Sequence, residues 1–347
     1  MSKNLIYLLI IFLILLNFNS ALAQTSSAQD EKLKAEALKL INLPEPFFEP
    51  FKFEQPSPEA IADLGFEQVY TSNSVKFTMA DGKKLTANHF KSDSKTTVIL
   101  VHGVLSSSFT MNKSAGLVRE ALNAEVFAVD LRGHGNSEGK PGDVDFIDQY
   151  AADLSDIVKK IRAEKPNGKI ILAGHSMGGG IILRYAMRKD FPTVEGYLLF
   201  TPLLGQDAPT IPQADSTKQS NEEPFLKIHI QRIIGLKMLN SINNHQYDGL
   251  PVLFFNLPPE SPIKRYSYRA NESMSPANYK DGLKAINKPL IVLVGSKDEA
   301  FVASAFEKAI KENGSGDVFV LNGISHNGIR QNSEAMKLIK KWSDKNF

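Results

Sequence analysis

The chain contains no cysteine. No disulfide can form, so an export destination has to be tolerated by the core alone, and thiolate nucleophiles and thiolate metal sites are excluded. Seven histidines are present, but none pairs with another at metal-ligand spacing such as H-x-x-x-H. No metal site is therefore read from the sequence. An excess of one charge is also missing: 40 basic residues face 38 acidic ones, a net charge of +2. That balance gives no reason to expect a nucleic-acid partner. No internal repeat marks a solenoid or propeller.

What is present is ordinary globular composition, with 42% hydrophobic residues over 347 positions. That suits one large domain, or one domain carrying an insertion. The amino end has the form of a secretory signal over residues 1–23. Lys3 supplies the positive charge, Leu5–Phe18 is an apolar run too short to span a bilayer comfortably, and Ala21-Leu22-Ala23 has the small-x-small form of a cleavage site. The expectation is export to a periplasm or out of the cell. The rival is a membrane anchor made by an uncleaved signal. A lipid-anchored form would need a cysteine.

Residues 24–60 are polar, then helical in pattern around Glu31–Leu40, then rich in proline, and read as an extended arm laid over the domain, not as a core element. Val75–Met79 and Leu85–Phe90 flank Asp81-Gly82, a hairpin signal. Strands and helices then alternate: Thr97–Val101, Asn112–Asn123, Val126–Leu131, Phe146–Ala163, Lys169–Ala173, Ile181–Arg188 and Val194–Phe200. Regular alternation stops over about 204–285 and resumes at Pro289–Val294, Phe301–Asn313, Val318–Leu321 and Ser333–Trp342. Such alternation predicts an α/β fold, a doubly wound, mostly parallel sheet with helices on both faces. The interruption predicts a cap inserted in a domain running over 61–347. Within it, Phe225–Leu239 has helical apolar spacing at Leu226, Ile230, Ile233, Ile234 and Met238, with Gly235 counting against an unbroken helix.

The chemistry centres on Gly174-His175-Ser176-Met177-Gly178. A buried strand precedes this G-x-S-x-G run and a helix follows it, so Ser176 is the candidate nucleophile on a strand-to-helix turn. A serine hydroxyl is a weak nucleophile and needs a base held in its tautomer by a carboxylate. In doubly wound sheets the reacting groups sit at the carboxyl ends of strands. Asp298 follows the strand ending at Val294, with Glu299 as the neighbouring alternative, and His326 follows the strand ending at Leu321. His326 is the only histidine beyond position 245. The order Ser176, Asp298, His326 is that of the α/β-hydrolases. The Met177 amide and the Val104 amide, in the loop after Val101, are the expected oxyanion donors.

His102-Gly103-Val104, Asp130-Leu131-Arg132-Gly133-His134-Gly135-Asn136-Ser137-Glu138-Gly139 and Gly174-His175-Ser176-Met177-Gly178-Gly179 resemble the monoacylglycerol lipase and lysophospholipase-like branch of the α/β-hydrolases, also grouped with serine aminopeptidases. The resemblance covers about residues 70–203 and 286–347. It implies the α/β-hydrolase fold, a cap after the sixth main strand, and esterase or lipase chemistry without a cofactor. Arg132 and His134 would then structure their loop by hydrogen bonds to backbone, and His175 would pack beside the elbow. The expected substrate is a small ester or lipid-like molecule, with the apolar stripe of Phe225–Leu239 either packed on the core or in transient contact with a membrane surface. Two other functions are weighed. One is amide cleavage of the aminopeptidase kind, for which Glu222-Glu223 is the only acidic support. The other is a non-catalytic binding protein on the same scaffold.

Overall fold

The computed structural model describes residues 28–51, 56–213 and 223–347. The expected export segment at 1–23 lies outside them. A helix over 28–41 (α1) and the helix Pro58–Leu64 (α2) precede the main sheet. Strands Asn73–Thr78 (β1) and Lys84–Phe90 (β2) form the hairpin around Gly82, whose φ of 84° suits glycine.

Thr96–Val101 (β3), Glu125–Val129 (β4), Lys169–His175 (β5) and Gly196–Phe200 (β6) follow. After the cap come Leu290–Lys297 (β10) and Asp317–Ser325 (β11). The eight strands lie in the order β1-β2-β4-β3-β5-β6-β10-β11. From β4 to β11 every pairing is parallel, and only the hairpin and its junction with β4 are antiparallel.

The central strands are apolar at consecutive positions because both faces are covered. Ile99 and Val101 of β3 enter one core with the helices Gln149–Glu164 (α4) and Met177–Ala186 (α5). Val98 and Leu100 enter the other, with Asn112–Leu122 (α3) and, at the carboxyl end, Ser333–Asn346 (α10). Each buried aliphatic side chain of this kind stabilises the fold by about 1.5–3 kcal/mol. Doubly wound winding leaves every β-to-α loop on the carboxyl edge of the sheet, and that edge carries the candidate site.

The cap is a second, three-stranded antiparallel sheet: Leu226–Ile228 (β7), Pro251–Phe255 (β8) and Arg265–Ser267 (β9). Helices Ile230–Ser241 (α6), Tyr268–Ser273 (α7) and Tyr279–Ala285 (α8) complete it. The segment predicted as one helix from Phe225 is thus strand, then helix. Leu226–Ile228 pairs with β8, and the His229 side chain caps α6 by accepting the Arg232 N–H at 3.2 Å. The buried face of α6 is Arg232, Gly235, Leu236 and Leu239, while Ile230 and Ile234 of the predicted stripe face solvent. Gly235 explains the rotation: a Cβ there would stand 2.8 Å from the Ala37 carbonyl of α1. The residues before 60 are accordingly more than an extended arm, since Ala37 and Ile41 of α1 belong to the core.

Two other helices start later than their apolar patterns. Asp148, at φ 86°, breaks the backbone before α4. A 3₁₀ turn at Ala303–Ala305 precedes Phe306–Asn313 (α9).

Candidate active site

Ser176 sits between β5 and α5 with φ 52° and ψ −118°, a conformation costly for any residue with a Cβ. The surroundings impose it. The Ser176 N–H donates to the Phe200 carbonyl at 3.0 Å, and its own carbonyl accepts from Gly179, Gly180 and Leu203. The close turn excludes side chains nearby. A Cβ at Gly178 would lie 2.4 Å from the Val101 carbonyl, and one at Gly103 would lie 3.2 Å from Ser176 Cβ. The His102–Val104 loop therefore rests directly on the elbow.

Asp298 follows β10 at once and His326 follows β11 at once. The Nδ1 of His326 meets both carboxylate oxygens of Asp298, at 3.0 and 2.9 Å. Asp298 also accepts the Ala300 and Phe301 N–H groups at 2.9 and 2.8 Å and the Thr201 hydroxyl. Its side chain is fully buried. Burial alone would raise its pKa, but the hydrogen bonds from His326, Thr201 and the Phe301 amide outweigh that and hold the carboxyl below its ordinary value. The neighbouring carboxylate is used differently: Glu299 accepts the His326 backbone N–H at 3.0 Å. The ring thus faces Asp298 and the backbone faces Glu299.

No hydrogen bond joins Ser176 Oγ to His326 among the described residues. The two are neighbours all the same. His175, beside Ser176, has Nε2 within 3.0 Å of the His326 carbonyl, and the two rings lie 4.8 Å apart. Such hydrogen bonds are often loose before substrate arrives. Met177 is the first residue of α5, so its N–H has no partner within the helix. The Val104 N–H has no protein acceptor among the described residues.

The loop below this edge is built from buried, neutral histidines. Burial lowers the pKa of His102 to about 4 and that of His134 to about 3, and pushes His175 well below its ordinary value. Leu131 N–H donates to His102 Nε2 at 3.1 Å, so the ring proton is on Nδ1, which donates to the Gly103 carbonyl at 2.7 Å. His134 lies against the Arg132 carbonyl, as a loop-structuring residue should. Arg132 itself departs from its expected role: its guanidinium binds the carboxylates of Asp153 and Asp81, not backbone.

Three supporting residues escaped the sequence reading. Thr201 follows β6 on the same edge, a position the end-of-strand rule would have reached. Tyr266, on cap strand β9, meets Leu105 and His134. The buried Arg330 donates to the Thr110 and Leu64 carbonyls at 2.6 and 2.9 Å. Neither of the last two carries a local motif.

With this geometry in place, likeness to known proteins becomes informative. The family model described as serine aminopeptidase, S33, matches residues 92–245. An uncharacterized hydrolase of Bacillus subtilis, YugF, is 26% identical over 235 residues, covering 64% of this chain and 80% of its own. The monoglyceride lipase of Rattus norvegicus is 31% identical over 128 residues, covering 36% of this chain; the match spans only 41% of the lipase. Among solved structures, the monoacylglycerol lipase of Paleococcus ferrophilus superposes with a TM-score of 0.54 at 23% identity, covering 76% of this chain and 99% of its own. That last likeness speaks to the fold. The chain has the α/β-hydrolase fold, and over part of its length its sequence is similar to S33 serine aminopeptidases and to monoglyceride lipases.

Proposed function

We propose that this α/β-hydrolase is an exported serine esterase that cleaves small or lipid-like carboxylic esters through an acyl-enzyme. The observation that carries the reading is the His326–Asp298 pair beside a strained, buried serine at one sheet edge. Ser176 Oγ attacks the ester carbonyl carbon while His326 Nε2 takes its proton. Asp298 holds the ring with Nδ1–H toward the carboxylate and stabilises the imidazolium. The Met177 and Val104 amides receive the oxyanion, each worth about 3–4 kcal/mol in the transition state. His326 then protonates the leaving alcohol. Water, activated by the same ring, releases the acid and restores Ser176.

The names of the relatives favour a monoacylglycerol-like substrate. The cap adds support, because Phe225, Ile228, Ile230 and Ile234 are exposed on it, and Phe47 is held nearby through Lys227 Nζ on its carbonyl. Such a surface suits transient contact with a lipid aggregate. The aminopeptidase reading has less behind it: Glu223 is ion-paired with Lys227, and Glu222 lies outside the described residues.

The test is hydrolysis of p-nitrophenyl esters of graded chain length by the purified protein beside Ser176→Ala. Serine-dependent turnover is expected, with its optimum reporting the acyl pocket. No turnover in a folded protein would reject the esterase reading, and aminoacyl substrates would come next. Export is tested by the mass of the protein recovered outside the cytoplasm; cleavage after Ala23 is expected, and an intact amino end in the membrane fraction would make the segment an anchor.

A further inference from the structure

One cap side chain reaches into the loop that carries the Val104 amide. Tyr266 is fully buried, and its hydroxyl lies 2.9 Å from Leu105 N and 2.9 Å from His134 Nε2. Chemistry fixes the direction of this chain. An amide N–H can only donate, so the hydroxyl oxygen accepts from Leu105; the Arg132 carbonyl can only accept, so the His134 ring proton is on Nδ1, and Nε2 takes the hydroxyl proton. His134 in turn donates from Nδ1 to the Arg132 carbonyl at 2.9 Å.

Leu105 needs a partner more than most residues do. Its φ of 59° is left-handed, which costs a non-glycine residue about 1–2 kcal/mol. The strand presenting Tyr266 is itself stapled to the main domain. Ser267 N–H donates to the Gly142 carbonyl at 2.9 Å, and Arg269 grips Asp143 through two bonds of 2.8 and 2.9 Å. The hydroxyl is therefore offered from a fixed point.

We infer that Tyr266 is a positioning residue for the oxyanion loop: its hydroxyl holds Leu105, and so keeps the adjoining Val104 N–H turned toward Ser176. The cap then does more than wall the substrate pocket, because it completes the catalytic edge of the sheet. The inference rests on the reading of Val104 as an oxyanion donor.

The experiment compares Tyr266→Phe with the wild type and Ser176→Ala, by p-nitrophenyl butyrate kinetics and amide hydrogen exchange. The phenyl ring keeps its packing on Phe255, 5.9 Å away, so only the hydroxyl is lost. Losing a whole oxyanion donor costs about 10²–10³ in kcat, so a misaimed one should cost about 10- to 100-fold. The expected result is that fall in kcat with KM nearly unchanged, and faster exchange confined to residues 102–108. Faster exchange with an unchanged kcat would overturn the positioning role while sparing the assignment of Ser176. A raised KM with kcat intact would make Tyr266 a pocket wall and also overturn it. If Ser176→Ala keeps wild-type turnover, the site reading fails and the inference falls with it.

Discussion

Two loops converge on Ser176, and they are fixed by opposite kinds of chemistry. The His326 turn is held by carboxylates. Asp298 takes the ring, Glu299 takes the backbone N–H, and Asp63 of α2 takes the Ser325 hydroxyl next door. The buried Arg330 guanidinium completes it by binding α2 at Leu64. The His102–Leu105 loop is held by neutral rings instead: His102 from within, and Tyr266 from the cap, whose hydroxyl is itself bonded to His134 in the loop after β4. The difference teaches that the proposed acid–base half and the proposed oxyanion half have different supports. One leans on the amino-terminal segment and the other on the cap, so each should fail under its own perturbation.

The largest effect should come from the carboxylate side. Asp298→Asn removes the acceptor that sets the His326 tautomer, and a loss of about 10⁴ in kcat is expected in a protein that still folds. Steady-state kinetics beside a melting curve checks this, and near-normal turnover would move the acid role elsewhere.

Next comes acid. His102 and His134 bind no proton in the folded state until about pH 4 and 3, yet ordinary histidine protonates near 6.5. Between those values the unfolded chain binds more protons, so stability is complete above 6.5 and falls as the pH drops. The loss approaches about 3 kcal/mol per ring. Asp298 behaves differently. Its lowered pKa contributes stability above 3.8, which is lost only as the pH falls through the still lower folded value. Urea midpoints measured from pH 7 to 4.5 should therefore decline as the buried histidines, His175 among them, are charged on unfolding, with a shallower decline in His134→Gln. A flat profile would show that the rings charge in place.

A smaller effect is expected where α2 meets the His326 turn. Arg330→Met keeps the bulk of the side chain but leaves the Thr110 and Leu64 carbonyls without their donor. Destabilisation of about 2–4 kcal/mol is expected, read from the urea midpoint. The oxyanion-loop exchange rates should not move, and if they did the two supports would be coupled.

The sequence made the sheet edge readable and the cap much less so, for a physical reason. Ser176, Asp298 and His326 are each placed by a strand that ends, and strand ends are marked by local apolar runs and glycines. The α6 stripe misled because an apolar helix face says that it wants cover, not which element provides it. Gly235 admitted α1, Arg232 turned inward onto the Ile41 and Pro251 carbonyls, and Ile230 and Ile234 were left outside. Tyr266 was invisible for a similar reason: its partners Leu105 and His134 lie more than 130 positions away in sequence.

The finest probe of the comparison is Glu299→Gln, because it separates two adjacent carboxylates that the sequence could not rank. Among the described residues Glu299 accepts only the His326 backbone N–H, at 3.0 Å, and a glutamine carbonyl oxygen can accept the same bond. The ring tautomer, set by Asp298, should be untouched. A loss of less than about tenfold in kcat is expected, the size of one weakened hydrogen bond, with the pH profile unshifted. If Glu299→Gln instead approached the loss of Asp298→Asn, the backbone anchor would be as important as the ring partner. The two carboxylates would then have to be treated as one acid, and the carboxylate half of the site would tolerate far less change than the neutral half.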